Sequence, residues 1–188
     1  MSTKPFKPTK EDMADAVNRR VRDVIAPGLK VLFCGINPGI YTAAVRRHFG
    51  RPGNRFWPAL FNGGFTPRLF SPFENDELLA LGYGITNLVA RPTVLANELS
   101  DDELRRGAKT VVRKVMKYKP RYVAFCGVTS YRIAFDRPDA QVGFQPEHSI
   151  GDTKVWILPN PSGLNAHFTG PRLKEVFSEL YRAVKARG

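Results

Sequence analysis

Four short apolar runs alternate with segments that carry helical markings, and that alternation restricts the chain to few folds. The runs are LKVLFCGI (29–36), GITNLV (84–89), RYVAFCG (121–127) and KVWILPN (154–160). Each is too short for a buried helix and is bounded by Gly, Pro or Asn, so each reads as a buried strand. Between them lie six helical patterns. The first covers 9–25: Thr9 caps it, Met13, Val17, Val21 and Val24 form an apolar stripe, and Pro27-Gly28 ends it. Others cover 54–65, 71–84 (Ser then Pro at its start) and 128–135. The clearest covers 100–120, where Ser100 and Glu103 form a capping box, acids fill the first turn and basic residues follow. The last covers 171–187, with Pro171 in its first turn. Alternating strands and helices predict an α/β chain: a three-layer α/β/α sandwich with a mostly parallel central sheet. Its strand order is not written in the pattern. At 188 residues and 43% hydrophobic content the chain suits one domain. We assign 1–8, rich in Lys and Pro, to a flexible basic arm and 9–188 to a single domain.

Two of the strands end alike. GINPG (35–39) follows the first and NPSGLN (160–165) follows the last. Ligands of parallel α/β sheets sit beyond the carboxyl ends of the strands, so these loops are expected to be two walls of one site. Asn37 carries two amide donors and a carbonyl acceptor. It can position a water or read a carbonyl edge, but it is no general base at neutral pH. Taken alone, an Asn-Pro-Gly more often just turns the chain. Leu164, on a polar, Gly-containing loop, is costly in water unless it meets something apolar. A wedge between base pairs is one use; a return to the core is the plainer one. Between the two loops, RRHFGRPGNRFW (46–57) sets Phe49 among Arg46, Arg47, His48, Arg51 and Arg55. That mixture suits base stacking with phosphate contact, and equally a core Phe beside solvated arginines.

The formal net charge of +12 points to a polyanion, and nucleic acid is the commonest. Residues 104–135 hold nine Lys/Arg and no acid. On that helix Arg105, Lys109, Arg113 and Lys117 recur at i+4 spacing, which fits a solvated face better than a DNA-facing stripe. No run approaches the roughly 20 apolar residues of a membrane span. The N-terminus lacks a signal-peptide core, so a cytoplasmic, membrane-free location is expected. Cys34 and Cys126 lie inside strand runs and read as buried reduced thiols. His48, His148 and His167 lack metal-ligand spacing. There is no phosphate-binding GxxxxGK[ST], no GxGxxG, and no GxSxG around Ser162.

Four segments in order, APGLKVLFCGINPG, RPGNRFWPALFNGGF, GITNLVARPTVLANELS and WILPNPSGLN, make the chain resemble the mismatch-specific uracil-DNA glycosylases and the related thymine-DNA glycosylases over roughly 24–187. The resemblance implies the uracil-DNA glycosylase fold and no metal or cofactor. It implies hydrolysis of the N-glycosidic bond of uracil, or of thymine and modified pyrimidines, in G·U and G·T mispairs of duplex DNA. DNA repair by base flipping, leaving an abasic site, would then be the role of a monomeric, monofunctional enzyme. By the same resemblance Asn37 orients the attacking water, and Gly35, Ile36, Pro38, Gly39, Thr42, Phe49 and Asn160 form the base pocket. Leu164 is the wedge; Ser162, Gly163, Asn165, Ala166 and Arg172 stand with it on the DNA. Asn87 and Arg55 are secondary candidates. YTAAVRRH is more basic than the bacterial members suggest, and NAHFTGPR is closer to the thymine-DNA branch. Two alternatives remain: a broader uracil-DNA glycosylase that also acts on single strands, and a non-catalytic mispair-binding module. A metal-dependent nucleotide hydrolase is disfavoured because clustered carboxylates placed to hold a metal are absent.

Overall fold

β1 (Val31–Gly35) is buried at all five positions and hydrogen-bonded on both sides. A strand in that position must be apolar on both faces, which explains its unbroken VLFCG run. The structure, a computed structural model, describes residues 6–186. β2 (Tyr83–Asn87) pairs with β1 in parallel on one side, and β3 (Tyr122–Cys126) does so on the other. β5 (Thr153–Leu158) continues the parallel sheet beyond β3, and β4 (Gly143–Ile150) runs antiparallel along its edge. The order is β2-β1-β3-β5-β4.

Alternate residues of β1 serve two cores. Val31 and Phe33 face the layer of α3 (Phe56–Asn62) and α7 (Gly170–Lys185), where Phe56, Phe65, Phe177 and Leu180 pack around them. Leu32 and Cys34 face the layer of α5 (Asp101–Tyr118) and α6 (Val128–Phe135), among Val111, Val115 and Tyr131. The expected three-layer sandwich is therefore present. Both cysteines are buried and free. Among the described residues no helix is long and apolar enough to cross a membrane.

The structure differs from the expectation at several elements. The helix expected over 9–25 is short: α1 (Lys10–Asp15) gives way to a 3-10 turn at Ala16–Asn18, and its Thr9–Asp12 capping box is present. Val24 is instead extended and exchanges both backbone hydrogen bonds with Ile85 (2.9 and 2.8 Å), covering part of the β2 edge. The Asp23 carboxylate explains the preference. It accepts from Thr86 Oγ1 (2.7 Å) and pairs with Lys114 Nζ (2.6 Å), tying this segment to the sheet. The helix expected over 71–84 is a 3-10 stretch at Pro72–Glu77 followed by α4 (Leu78–Leu81). α2 (Ile40–Val45) was not foreseen, nor was β4, whose GFQPEHSI carries a proline and no clean alternation. An edge strand with a register irregularity tolerates both. Of the assigned arm, residues 1–5 lie outside the described residues; Phe6 and Lys7 are exposed, but Pro8 is already buried. Arg105, Lys109, Arg113 and Lys117 are all exposed on α5, and Arg105 lies against Asp101 and Asp102.

Gly107 in mid-α5 allows the helix to approach the chain leaving β2. A Cβ there would stand 2.4 Å from the Leu88 carbonyl oxygen and 3.0 Å from its carbon. Alanine in a helix interior normally gains about 1 kcal/mol over glycine, whereas overpacking a core costs about 1–3 kcal/mol. Backbone cannot rotate aside as a side chain can, so the cost wins. Gly107→Ala is expected to lower the urea midpoint; an unchanged or raised midpoint would show that α5 can shift freely.

Candidate active site

The chain leaves β1 and returns to β2 on one side, while β3 is reached on the other. Beyond Gly35 the neighbours of β1 part, and a crevice opens at the switch point. One wall is laced to the chain following β2. Leu88 N donates to Gly35 O (2.8 Å), Val89 N to Ile36 O (2.9 Å), Thr93 N to Pro38 O (3.2 Å) and Ile40 N to Thr93 O (3.0 Å). The crevice holds a cavity of about 120 Å³ bounded by the loop Ile36–Gly39, Thr42, Phe49, Asn87, Thr93, Val94, Cys126, Asn160 and Ser162. The GINPG and NPSGL loops thus do meet as two walls of one site.

Asn37 is held by its amide. Nδ2 donates to the Arg91 carbonyl oxygen (2.8 Å) and to Thr93 Oγ1 (2.7 Å). Both amide hydrogens are used, and the side-chain carbonyl is the group left to serve the cavity. The acceptors are themselves fixed. Arg91 Nε and one terminal nitrogen grip the Glu103 carboxylate (2.7 and 3.0 Å), and that nitrogen also reaches Glu98 O (3.2 Å). Arg91, and then the Ser100 backbone N–H, pull the Glu103 carboxyl down to about 2, so it is ionised at neutral pH. The capping box of α5 therefore reaches Asn37 through a single arginine. Nothing in the residue types of Arg91 and Thr93 marks them for this role; the only signal is their place in the GITNLVARPTVLANELS segment.

Phe49 stacks on Phe56, with ring centroids 3.9 Å apart and planes within 18°. Its half-buried ring also borders the cavity. The residue sits at φ +51°, a left-handed conformation that costs a bulky side chain energy and is held here by packing. A Cβ at Gly35 would stand 2.5 Å from Asn87 Oδ1 and 3.2 Å from Phe49 Cζ, so any larger residue would displace these two site side chains. Asn87 faces His48 Nδ1 across 3.5 Å, and His48 Nε2 lies 2.9 Å from Arg22 O. His48, expected among surface arginines, is buried, and burial pushes its pKa down. The neutral tautomer that donates to Arg22 O leaves Nδ1 as acceptor for Asn87.

The second loop is organised from within by Arg55. Its guanidinium donates to the carbonyls of Asn165 (2.7 Å), Phe168 (2.9 Å) and Gly163 (3.0 Å), and its backbone N–H to Pro161 O (2.8 Å). Arg55, a secondary candidate for which phosphate contact and plain solvation stand equally open in the sequence, is thus occupied in shaping the loop, because its planar fork matches several carbonyls at once. Asn160 Oδ1 accepts from Ser162 N (3.0 Å), Ser162 Oγ from Leu164 N (3.3 Å), and Asn165 Nδ2 donates to Asn160 O (3.0 Å). Gly163 lies so close to Gly53 that a Cβ would meet its carbonyl oxygen at 2.6 Å. These bonds hold out Leu164, which is 67% exposed and not in the core. Ala166 is exposed too, and exposed Arg172 stacks on Phe168 at 4.9 Å. The structure thus brings Asn37, Phe49, Asn87, Asn160 and Ser162 together. It sets Gly163 and Leu164 on the neighbouring rim, where exposed Arg51 borders both spaces. Cys126, expected as a plain core thiol, is buried yet borders the cavity floor. Among the described residues no three His, Cys, Asp or Glu converge to hold a metal.

The model of the uracil DNA glycosylase superfamily matches residues 22–185. A solution NMR structure from Methanosarcina acetivorans, described as a candidate uracil DNA glycosylase, superposes with a TM-score of 0.56 at 18% identity, over 87% of this chain and 98% of that one. At that identity the likeness speaks for the fold. The family match spans most of the length and includes both loops of the crevice, so the chain belongs to the uracil DNA glycosylase superfamily.

Proposed function

We propose that the chain is a monofunctional, metal-independent glycosylase. It hydrolyses the N-glycosidic bond of uracil, and of thymine or modified pyrimidines, in G·U and G·T mispairs of duplex DNA and leaves an abasic site. The observation that carries this reading is the Asn37 amide. With both of its hydrogens held by Arg91 O and Thr93 Oγ1, the side chain presents only an acceptor, which suits a water that must be aimed and not deprotonated. A pure mispair binder needs no such group inside a cavity.

The base leaves the stack and lies on the Phe49 ring, backed by Phe56. The Asn87 and Asn160 amides offer hydrogen bonds to its edge. The C1′–N bond breaks with its electron pair going to the base, which departs as an anion. Water held by the Asn37 carbonyl adds to the oxocarbenium-like sugar and sheds its proton to the released base or to solvent. Flipping costs a few kcal/mol and less for a mispair, so weak pairing itself selects the substrate. An amide stabilises a cationic sugar less than a carboxylate does, so positioning supplies most of the rate and turnover is modest. Among the described residues no lysine borders the cavity, which fits simple hydrolysis without a Schiff base.

Asn37→Ala should slow single-turnover uracil release by about 10²-fold or more, the order lost when a reacting group is no longer held in place. Affinity for a duplex bearing an uncleavable uracil analogue should stay near the wild-type value. Near-normal release with weakened binding would make Asn37 a structural residue and remove the basis of the reading.

Leu164→Ala should leave the melting temperature unchanged, since its side chain stands in solvent. A G·U duplex should be processed at least about tenfold more slowly, because the wedge offsets part of an unstacking cost of a few kcal/mol. A uracil that is already unpaired should be little affected. Equal losses on both substrates would rule out the wedge.

A further inference from the structure

We propose that Val94 and Leu95 form a second apolar lip of the cleft, and that Val94 closes over the deoxyribose of the extruded nucleotide to keep bulk water from the reacting carbon; this rests on the glycosylase reading above. Val94 (69%) and Leu164 (67%) are the two most exposed large hydrophobic side chains among the described residues, and the neighbouring Leu95 is exposed as well, at 46%. Scattered exposed leucines or valines are ordinary. These are not scattered. Val94, Leu95 and Leu164 line one opening together with Arg51, Asn160 and Asn165.

The turn that carries Val94 is held on both sides. Thr93 bridges to Gly39, and its carbonyl accepts from Ile40 N (3.0 Å). Leu95 N donates to the Glu98 carboxylate (2.7 Å), Glu98 N to Leu95 O (3.2 Å), and the Glu98 carbonyl is gripped by Arg91 (3.2 Å). A backbone fixed at both ends presents to water an apolar side chain that the described residues leave mostly uncovered. That arrangement loses stability unless a partner supplies the cover.

The occupant follows from position. Of the three apolar residues, only Val94 also borders the inner cavity, beside Asn37, Thr93 and Phe49. A nucleotide with its base on Phe49 and its phosphate near Arg51 places its sugar between them, at the cavity mouth. The C–H face of deoxyribose is the apolar part of a nucleotide, and a valine fits it. Leu164 does not border the inner cavity, so it acts on the base stack. The two lips then divide the work: Leu164 favours extrusion, and Val94 favours the seated nucleotide and a dry reaction.

The test uses the full chain with Val94→Thr, Val94→Ala and Leu164→Ala, under single-turnover conditions, on two substrates. One is a G·U duplex. The other carries uracil opposite an abasic-site analogue, so that no pairing resists extrusion. The wild-type protein comes first: if it releases uracil from neither, the glycosylase reading itself fails, whatever the variants do. Given wild-type activity, Val94→Thr, which keeps the side-chain shape and adds a hydroxyl, is expected to slow release by roughly tenfold on both substrates, the low end of what one apolar contact in a site is worth. Leu164→Ala is expected to slow only the paired one. Melting temperatures of the Val94 variants should match wild type. Wild-type rates for both Val94 variants on both substrates would overturn the proposal, and so would a loss confined to the paired duplex, which would make Val94 part of the wedge.

Discussion

Four backbone hydrogen bonds lace the loop after β1 to the chain after β2, and the geometry of the site follows from them. A parallel pair normally ends where its strands end. Here the pairing continues past Gly35 in a looser form, through Ile36, Pro38 and Ile40 to Leu88, Val89 and Thr93. Two consequences result. Asn37 lies within reach of the Arg91 carbonyl and the Thr93 hydroxyl, so its amide has one orientation. Val94, the next residue, is carried to the mouth of the same cavity. Pro38 suits such a loop, since it fixes one dihedral and gives up a donor that would otherwise need a partner.

The charge and the chemistry occupy different parts of the site. The cavity itself is bounded by amides, hydroxyls and uncharged apolar side chains such as Phe49, Val94 and Cys126, with Arg51 at its edge. Most of the excess positive charge lies elsewhere on the surface. On a DNA substrate, charge of this kind would meet the phosphate backbone, and such binding weakens steeply with salt. The sites of rate and of affinity are thus separable, as expected for an enzyme whose substrate is a long polyanion with one reactive bond. Arg55 illustrates the limit of counting cations: a formal positive charge inside a basic segment is spent on three carbonyls of its own chain.

Much of this was legible in the sequence. The unbroken runs around β1, β3 and β5 mark strands buried on both faces, and the capping box, the acids of the first turn and the basic residues after them mark α5 to within a residue or two. The two Asn-Pro loops were readable because strand ends in a parallel sheet share one edge. The failures have physical causes. The helical stripe through Val17, Val21 and Val24 misled because the Asp23–Thr86–Lys114 contacts, distant in sequence, favour an extended segment. β4 was hidden by Pro146 and by the weak alternation an edge strand permits. Thr93 could not be picked out, because its value lies in meeting Asn37 from 56 positions away. His48 looked like part of an arginine cluster, and only the fold shows it buried beneath Asn87.

The central claim is that a neutral amide in this crevice directs water onto a sugar whose base has left the duplex. It is tested most directly by the wild-type chain on end-labelled 30-mers (about three helical turns,) carrying G·U, G·T, A·U or single-stranded uracil, with and without chelator. The account predicts free uracil from G·U faster than from A·U, strand breaks only after alkali, and no effect of the chelator. Tight binding to the G·U duplex without release of base would contradict it, as would breaks that appear without alkali.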